Sequence, residues 1–284
     1  MIKLIECPRD AMQGIKPFIP TADKARYINK LLQVGFDTID FGSFVSPKAI
    51  PQMKDTAEVL SLLDLSASQT ELLAIVANKR GALAAVAFEE ITYLGYPFSI
   101  SETFQLRNTN ASIEESLERV KQIQEICEQK SKQMVVYISM GFGNPYGDPW
   151  NSEIVHKWVD KLNEIGIKIF QLSDTIGVAN PKNIEYLFSN LIEAYPQLEF
   201  GAHFHTQPHN WEEKIESAFK NGCRRFDGAI KGYGGCPMAK DDLTGNMPTE
   251  KVVHYFDDLE VDLGLDKILF NESMGMVPEI FPMH

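Results

Sequence analysis

MVVYIS at 134–139, SEIVHKWVDKLNE at 152–164, IKIFQL at 167–172, NIEYLFSNLIEA at 183–194 and EFGAHFH at 199–205 follow one another in a single stretch of the chain. The short runs are apolar, and the longer ones are amphipathic. Such alternation marks repeated βα units and predicts a parallel sheet covered by helices. Outward from this stretch, further strand candidates lie at Lys3–Glu6, Thr38–Phe41, Leu72–Val76 and Ala85–Phe88 on one side and Arg225–Ala229 on the other, which brings the total to eight. Eight strands favour a closed TIM (β/α)8 barrel, an α/β fold, and 284 residues is close to the roughly 250 typical of one.

Helical stretches at Ala22–Val34, Ile113–Gln129 and Trp211–Asn221 fill further intervals. Thr21 before Asp23, Ser112 three residues before Glu115, and Pro181 after Asn180 read as helix starts, and Gly35, Gly166 and Gly222 read as stops. No linker or low-complexity segment interrupts the sequence, so residues 1–284 are read as a single catalytic domain. The tail from about Ser273, rich in Met and Pro, is expected to be irregular.

Composition narrows the partners. Apolar residues at 44% and charged residues at 23% describe an ordinary globular chain. A net charge of -12 and a pI near 5.0 argue against nucleic acid, because phosphate backbones are held by clustered Lys and Arg. Lys79-Arg80 and Arg224-Arg225 are too short to form such a cluster. No apolar run approaches the roughly 18 residues of a membrane-spanning helix. Cys7, Cys127, Cys223 and Cys236 form no C-x-x-C pair, and the chain starts directly in a strand-like run, so a reducing, cytoplasmic location is expected. A small-molecule substrate and an even-numbered homo-oligomer, a dimer, complete the expectation.

Barrel chemistry gathers where strands end and βα loops begin. His203 and His205, two apart on a strand, face the same way and can converge on one ion, although two satisfied core histidines would give the same pattern. Asp10, after the first strand, would add a carboxylate, suiting an octahedral cation such as Mg or Mn. Asn246 is a further oxygen donor or, beside Gly245, a turn residue. Arg9 offers a positive fork to an oxygen gaining charge, or else a structural ion pair. Cys236 sits in the glycine-rich stretch Lys231–Pro237, where its thiol could move a proton on a lid. Asp174 ends strand six and is expected to hold a ligand histidine or a substrate hydroxyl, with helix capping as the alternative. Gly141-Phe142-Gly143 lacks a third glycine, and no phosphate-binding loop occurs, so no nucleotide cofactor is expected.

Together, residues 8–13 (PRDAMQ), 43–48 (SFVSPK) with 51–53 (PQM), 173–177 (SDTIG), 203–205 (HFH) and 234–237 (GGCP) through Gly245-Asn246 resemble the 3-hydroxy-3-methylglutaryl-CoA lyases of the DRE-TIM metallolyases. The resemblance runs from Lys3 to about Val253. It implies that Asp10, His203, His205 and Asn246 bind a divalent cation, that Arg9 stabilises an enolate oxygen, and that Cys236 is required for turnover. The implied reaction is cleavage of 3-hydroxy-3-methylglutaryl-CoA to acetyl-CoA and acetoacetate. A related Claisen or aldol-type enzyme on another acyl-CoA or hydroxy acid is the alternative, and a non-catalytic barrel a further one. Three features depart from the family's pattern: Asp40 stands where Glu is usual, Thr206-Gln207 follow His205 where Asp-Thr is usual, and the stretch Asn78–Asn110 matches only loosely.

Overall fold

The computed structural model describes residues 1–235 and 244–281. Eight parallel strands, β1 (Lys3–Glu6), β2 (Thr38–Ser43), β3 (Glu71–Ile75), β4 (Ile91–Ser99), β5 (Gln133–Ser139), β6 (Ile169–Asp174), β7 (Glu199–Thr206) and β8 (Arg225–Gly228), pair in chain order, and β8 returns to β1 to close the barrel. A short β9 (Gly245–Asn246) lies antiparallel on β7. The helices described are α1 (Pro8–Gln13), α2 (Thr21–Leu32), α3 (Thr56–Ser61), α4 (Lys79–Ala85), α5 (Glu102–Thr109), α6 (Ile113–Gln129), α7 (Ser152–Glu164), α8 (Pro181–Ala194), α9 (Trp211–Lys220), α10 (Thr249–Asp258) and α11 (Lys267–Ile280).

Strand alternation divides the core in two. Leu73, Ile75, Tyr93, Val135, Tyr137 and Ile169 make one apolar cluster, while Ile39, Leu72, Leu94, Val136, Phe170 and Phe204 face the helices in a larger one. The sequence signals for helix ends hold locally. Ser112 and Glu115 form a reciprocal capping box, and Asn180 caps α8 ahead of Pro181. Gly35, Gly166 and Gly222 all take positive φ. Thr21 is itself the first residue of α2 and gives its hydroxyl to Asp55.

The fourth strand corrects the sequence reading. Ala85 ends α4, a helix capped by Asn78, and Ala82, Ala85 and Val86 are buried at helical spacing. The strand lies at Ile91–Ser99, disguised by Gly95 and Pro97. Pro97 is tolerated because it follows the last β3–β4 pair, Ile75 with Gly95. The carbonyl of Gly95 accepts from Val76 N, so residue 97 faces the same side, beyond the end of that ladder.

The tail is the second correction. Asp266 caps α11, which buries Phe270, Ser273, Val277 and Ile280. It packs on α2, with Lys30 paired to Glu272 and Arg26 to Glu279. Pro278 lies inside α11, two residues before its end, where its missing N–H costs the helix one bond to the preceding turn.

Candidate active site and metal centre

At the carboxyl ends of the strands the barrel opens into a cavity of about 460 Å3. Arg9, Asp10, His203 and His205 line one side; Val45, Ile50, Ile75 and Phe104 line an apolar one. Asp10 reaches it from α1, immediately after β1, and the two histidines from β7. One ligand atom from each of Asp10, His203 and His205 lies within 4.8 Å of the others. The His203 Nε2 to Asp10 Oδ2 separation is 3.7 Å.

Both rings are oriented through their other nitrogen. His205 Nδ1 lies 2.8 Å from the Thr175 carbonyl, and His203 Nδ1 lies 2.9 Å from Asp227 Oδ2. With Nδ1 as the donor, each Nε2 keeps its lone pair, the arrangement that metal-binding imidazoles require. Asn246 pairs with His205 across β9 and β7, and its Nδ2 is tied to the Tyr233 carbonyl. His205 Nε2 and Asn246 Oδ1 are buried without a hydrogen-bond partner among the described residues. Two orphaned lone pairs beside a buried carboxylate are costly unless a cation takes them, so this donor set fits a divalent ion. Gly234 holds the returning chain against the site. At φ 84 it takes the left-handed conformation, and a Cβ there would stand 2.5 Å from the Asp10 carbonyl.

The charges are interlocked. Burial raises the Asp10 carboxyl, but Arg9, His203 and His205 outweigh it and bring it below its ordinary value. Burial lowers both histidines. For His205 that effect wins, with His203 adding to it, whereas Asp227 and then Asp10 carry His203 above its ordinary value. Arg9 is fixed at every end: Nε and Nη2 on Asp40, and Nη1 on Asp10 and Gln13 at 3.0 Å each, leaving one Nη2–H uncommitted among the described residues. Gln13 closes the set by donating to Asp10.

The structure thus brings together Arg9, Asp10, His203, His205 and Asn246, with Asp40 behind Arg9. Asp174 does not join them. Its carboxylate is fully buried, one oxygen accepting from Ala179 N and the other 2.7 Å from Lys214 Nζ. Lys214 also donates to the His205 carbonyl at 2.8 Å. Asp174 therefore supports the backbone of β7 through Lys214, which corrects the expectation that it would hold a histidine ring or meet substrate. Helix α9 supplies the cation that draws it outward. Cys236 lies outside the described residues, directly after Gly235 of the cavity lining.

Three residues escaped the sequence reading. Tyr137 lines the cavity, its ring centre 5.5 Å from that of His203 and its buried hydroxyl without a partner among the described residues. Asp227 orients His203, and Gln171 bonds to Asp227. Polar side chains at inward positions of strands were the signal, at Gln171, Asp227 and Tyr137.

Comparison with known proteins identifies the family. The hydroxymethylglutaryl-CoA lyase YngG of Bacillus subtilis is 34% identical over 278 residues, covering 94% of this chain and 91% of that protein. A 3-hydroxy-3-isohexenylglutaryl-CoA/hydroxymethylglutaryl-CoA lyase of Pseudomonas aeruginosa is 34% identical over 270 residues, covering 93% and 88%. An HMG-CoA lyase of Acinetobacter baumannii, solved with coenzyme A and 3-methylmalate, superposes with a TM-score of 0.91 at 29% identity, covering 99% of this chain and 91% of that one. The HMGL-like family matches residues 2–274, and the chain belongs to it.

Proposed function

We infer that the protein is a divalent-cation-dependent carbon-carbon lyase that cleaves 3-hydroxy-3-methylglutaryl-CoA to acetyl-CoA and acetoacetate. The observation that carries this is the convergence of Asp10, His203 and His205, with both Nε2 atoms turned toward the carboxylate and Arg9 fixed alongside. Asp10, His203, His205 and Asn246 would hold the cation, Mg or Mn by the mixed oxygen and imidazole donors. When bound, the cation supplies positive charge that makes the substrate's tertiary hydroxyl more acidic.

The chain's own residues do the rest. A base removes the hydroxyl proton, the C2–C3 bond breaks, and its electron pair passes to the thioester as an enolate. Arg9, held by Asp40 with an Nη2–H to spare, faces the enolate oxygen, an interaction of about 3 to 4 kcal/mol by comparison with oxyanion donors. Protonation of the enolate carbon then gives acetyl-CoA, leaving acetoacetate. Cys236, adjacent to Gly235 in the cavity lining, is the residue we assign to proton exchange. Asp174 belongs to the support of His205.

This is the chemistry of leucine breakdown, and we read the enzyme as cytoplasmic and dimeric. Three cysteines, Cys7, Cys127 and Cys223, are free and buried, which suits a reducing compartment. No helix among the described residues is long and apolar enough to cross a membrane. A two-fold pair is the commonest closed assembly.

A second reading has a specific observation behind it. The apolar side of the cavity combines Val45, Ile50 and Phe104 with the small Ala49 and Ala77. That wall suits a C3 substituent larger than methyl, as in the substrate named for the Pseudomonas relative.

The test is release of acetoacetate from 3-hydroxy-3-methylglutaryl-CoA by purified protein with Mg or Mn, repeated with chelator. Metal-dependent release supports the lyase. Binding of metal with cleavage only of a longer 3-alkyl analogue selects the second reading, and no cleavage of either overturns both.

A further inference from the structure

Beneath the cavity, two inward-facing polar residues form a chain that the reaction above leaves without a role. Asp227 on β8 is buried, with Oδ2 2.9 Å from His203 Nδ1. Gln171 on β6 is wholly buried and donates from Nε2 to the other oxygen, Asp227 Oδ1. Strand β7, which carries His203, lies between β6 and β8, so the Gln171 side chain must cross it. It crosses at Gly201. A Cβ at that position would stand 1.6 Å from Gln171 Oε1 and 2.7 Å from its Cδ. Gly201 is two residues before His203 on the same strand and therefore faces the same interior.

Neither feature favours stability. Gln171 Oε1 is buried with no hydrogen-bond partner among the described residues, and a strand glycine gives up side-chain packing. Apolar residues fill the neighbouring interior positions at Leu73, Val135 and Ile169. Two local departures from good packing at one point, both serving a bond to the same carboxylate, mark a functional constraint.

We propose that Gln171 and Asp227 are positioning residues for the cation site: Gln171, seated over Gly201, holds Asp227, and Asp227 holds the His203 ring so that Nε2 faces the cation. The inference rests on reading His203 as a ligand. A carboxylate accepting at Nδ1 fixes both the tautomer and the ring rotation. Gln171 occupies Oδ1, so Oδ2 is the oxygen left for the histidine. Without the amide, Asp227 can rotate, and the ring loses its fixed orientation.

The experiment measures Mn2+ affinity of the full chain from the electron paramagnetic resonance signal of free Mn2+. The proteins compared are the wild type, Gln171→Met, Asp227→Asn, His203→Ala, and each of the first two variants combined with His203→Ala. Asp227→Asn is expected to weaken Mn2+ binding about 10 to 100-fold and Gln171→Met several-fold, in line with outer-shell partners of metal-bound histidines. Neither change should weaken binding further once His203 is absent, because both act through that ring. A merely structural role would give the same loss with or without His203, and that result, or undiminished affinity in both single variants, overturns the proposal. Unchanged affinity in His203→Ala alone would instead remove His203 from the ligand set. If Gln171→Met does not fold, Gly201→Ala displaces the same amide and supplies the same comparison.

Discussion

The Arg9 guanidinium and the Asp40 carboxylate meet fork to fork inside the barrel, with Nε 3.2 Å from Oδ1 and 3.0 Å from Oδ2, and Nη2 on Oδ2 as well. Neither side chain is appreciably accessible. The aspartate, one methylene shorter than the family's usual glutamate, reaches the arginine in full. Its charge keeps the guanidinium in one orientation.

Asp40→Asn is therefore expected to lower kcat about 100-fold, the loss typical of a displaced catalytic group, with little change in KM. Asp40→Ala leaves a buried arginine short of a partner and should also cost about 3 to 5 kcal/mol of stability. Steady-state kinetics beside urea melts separate the two effects. A kcat that survives Asp40→Asn would show that Arg9 does not depend on the pair.

Mn2+ should stabilise the protein. At 100 times Kd, a ligand bound only by the folded state adds about 2.7 kcal/mol, so the wild type should melt at a higher temperature with Mn2+ than with chelator. His205→Ala removes the buried Nε2 that has no hydrogen-bond partner among the described residues and should abolish that difference. An undiminished thermal shift in the variant would count against His205 as a ligand.

Lys214 and Asp174 form an ion pair with no exposed surface, 2.7 Å apart. Lys214→Met should destabilise the fold by about 3 to 5 kcal/mol, while Asp174→Leu combined with Lys214→Met should cost much less, because no lone charge stays buried. Denaturant midpoints for Lys214→Met and for the double variant measure the difference. Equal losses in the single and double variants would contradict the pairing.

Burial pushes the Glu6 carboxyl up to about 8 from 4.5, against the opposing pull of hydrogen bonds from Thr249 and the Ile230 N–H. Between those values the folded protein keeps a proton that the unfolded chain has released, so stability falls as pH rises through that window. Glu6→Gln can accept from Ile230 and donate to Thr249 while never titrating. It should flatten the pH dependence of unfolding between pH 5 and 8 by a few kcal/mol, at about 1.4 kcal/mol per pH unit for one proton. Parallel stability curves for the two proteins would mean that Glu6 is ionised in the fold.

Several parts of the site were legible because their signals are local. Arg9 and Asp10 follow a strand directly, and His203 and His205 stand two apart on another. Other parts depended on neighbours that no local pattern names. Ala85–Phe88 resembles a strand as an isolated apolar run, but α4 needs Ala85 for its buried face, and the real strand hides behind Gly95 and Pro97. Asp174 stands at the expected height, yet its direction is set by Lys214 on α9. The partnership of Gln171, Asp227 and Gly201 spans three strands, and only their packing discloses it.

By itself, the sequence determined the alternation of strand and helix and the shared face of His203 and His205, since a strand's period of two holds wherever that strand lies. Only the tertiary structure decided what meets them. Asp10 comes from the far end of the chain, brought to the histidines by closure of β8 on β1, and Thr175, just after β6, and Asp227 on β8 hold the two Nδ1 atoms, which leaves Nε2 of each ring for a cation. Orientation at that level belongs to packed neighbours and their hydrogen bonds, which follow from how the barrel closes.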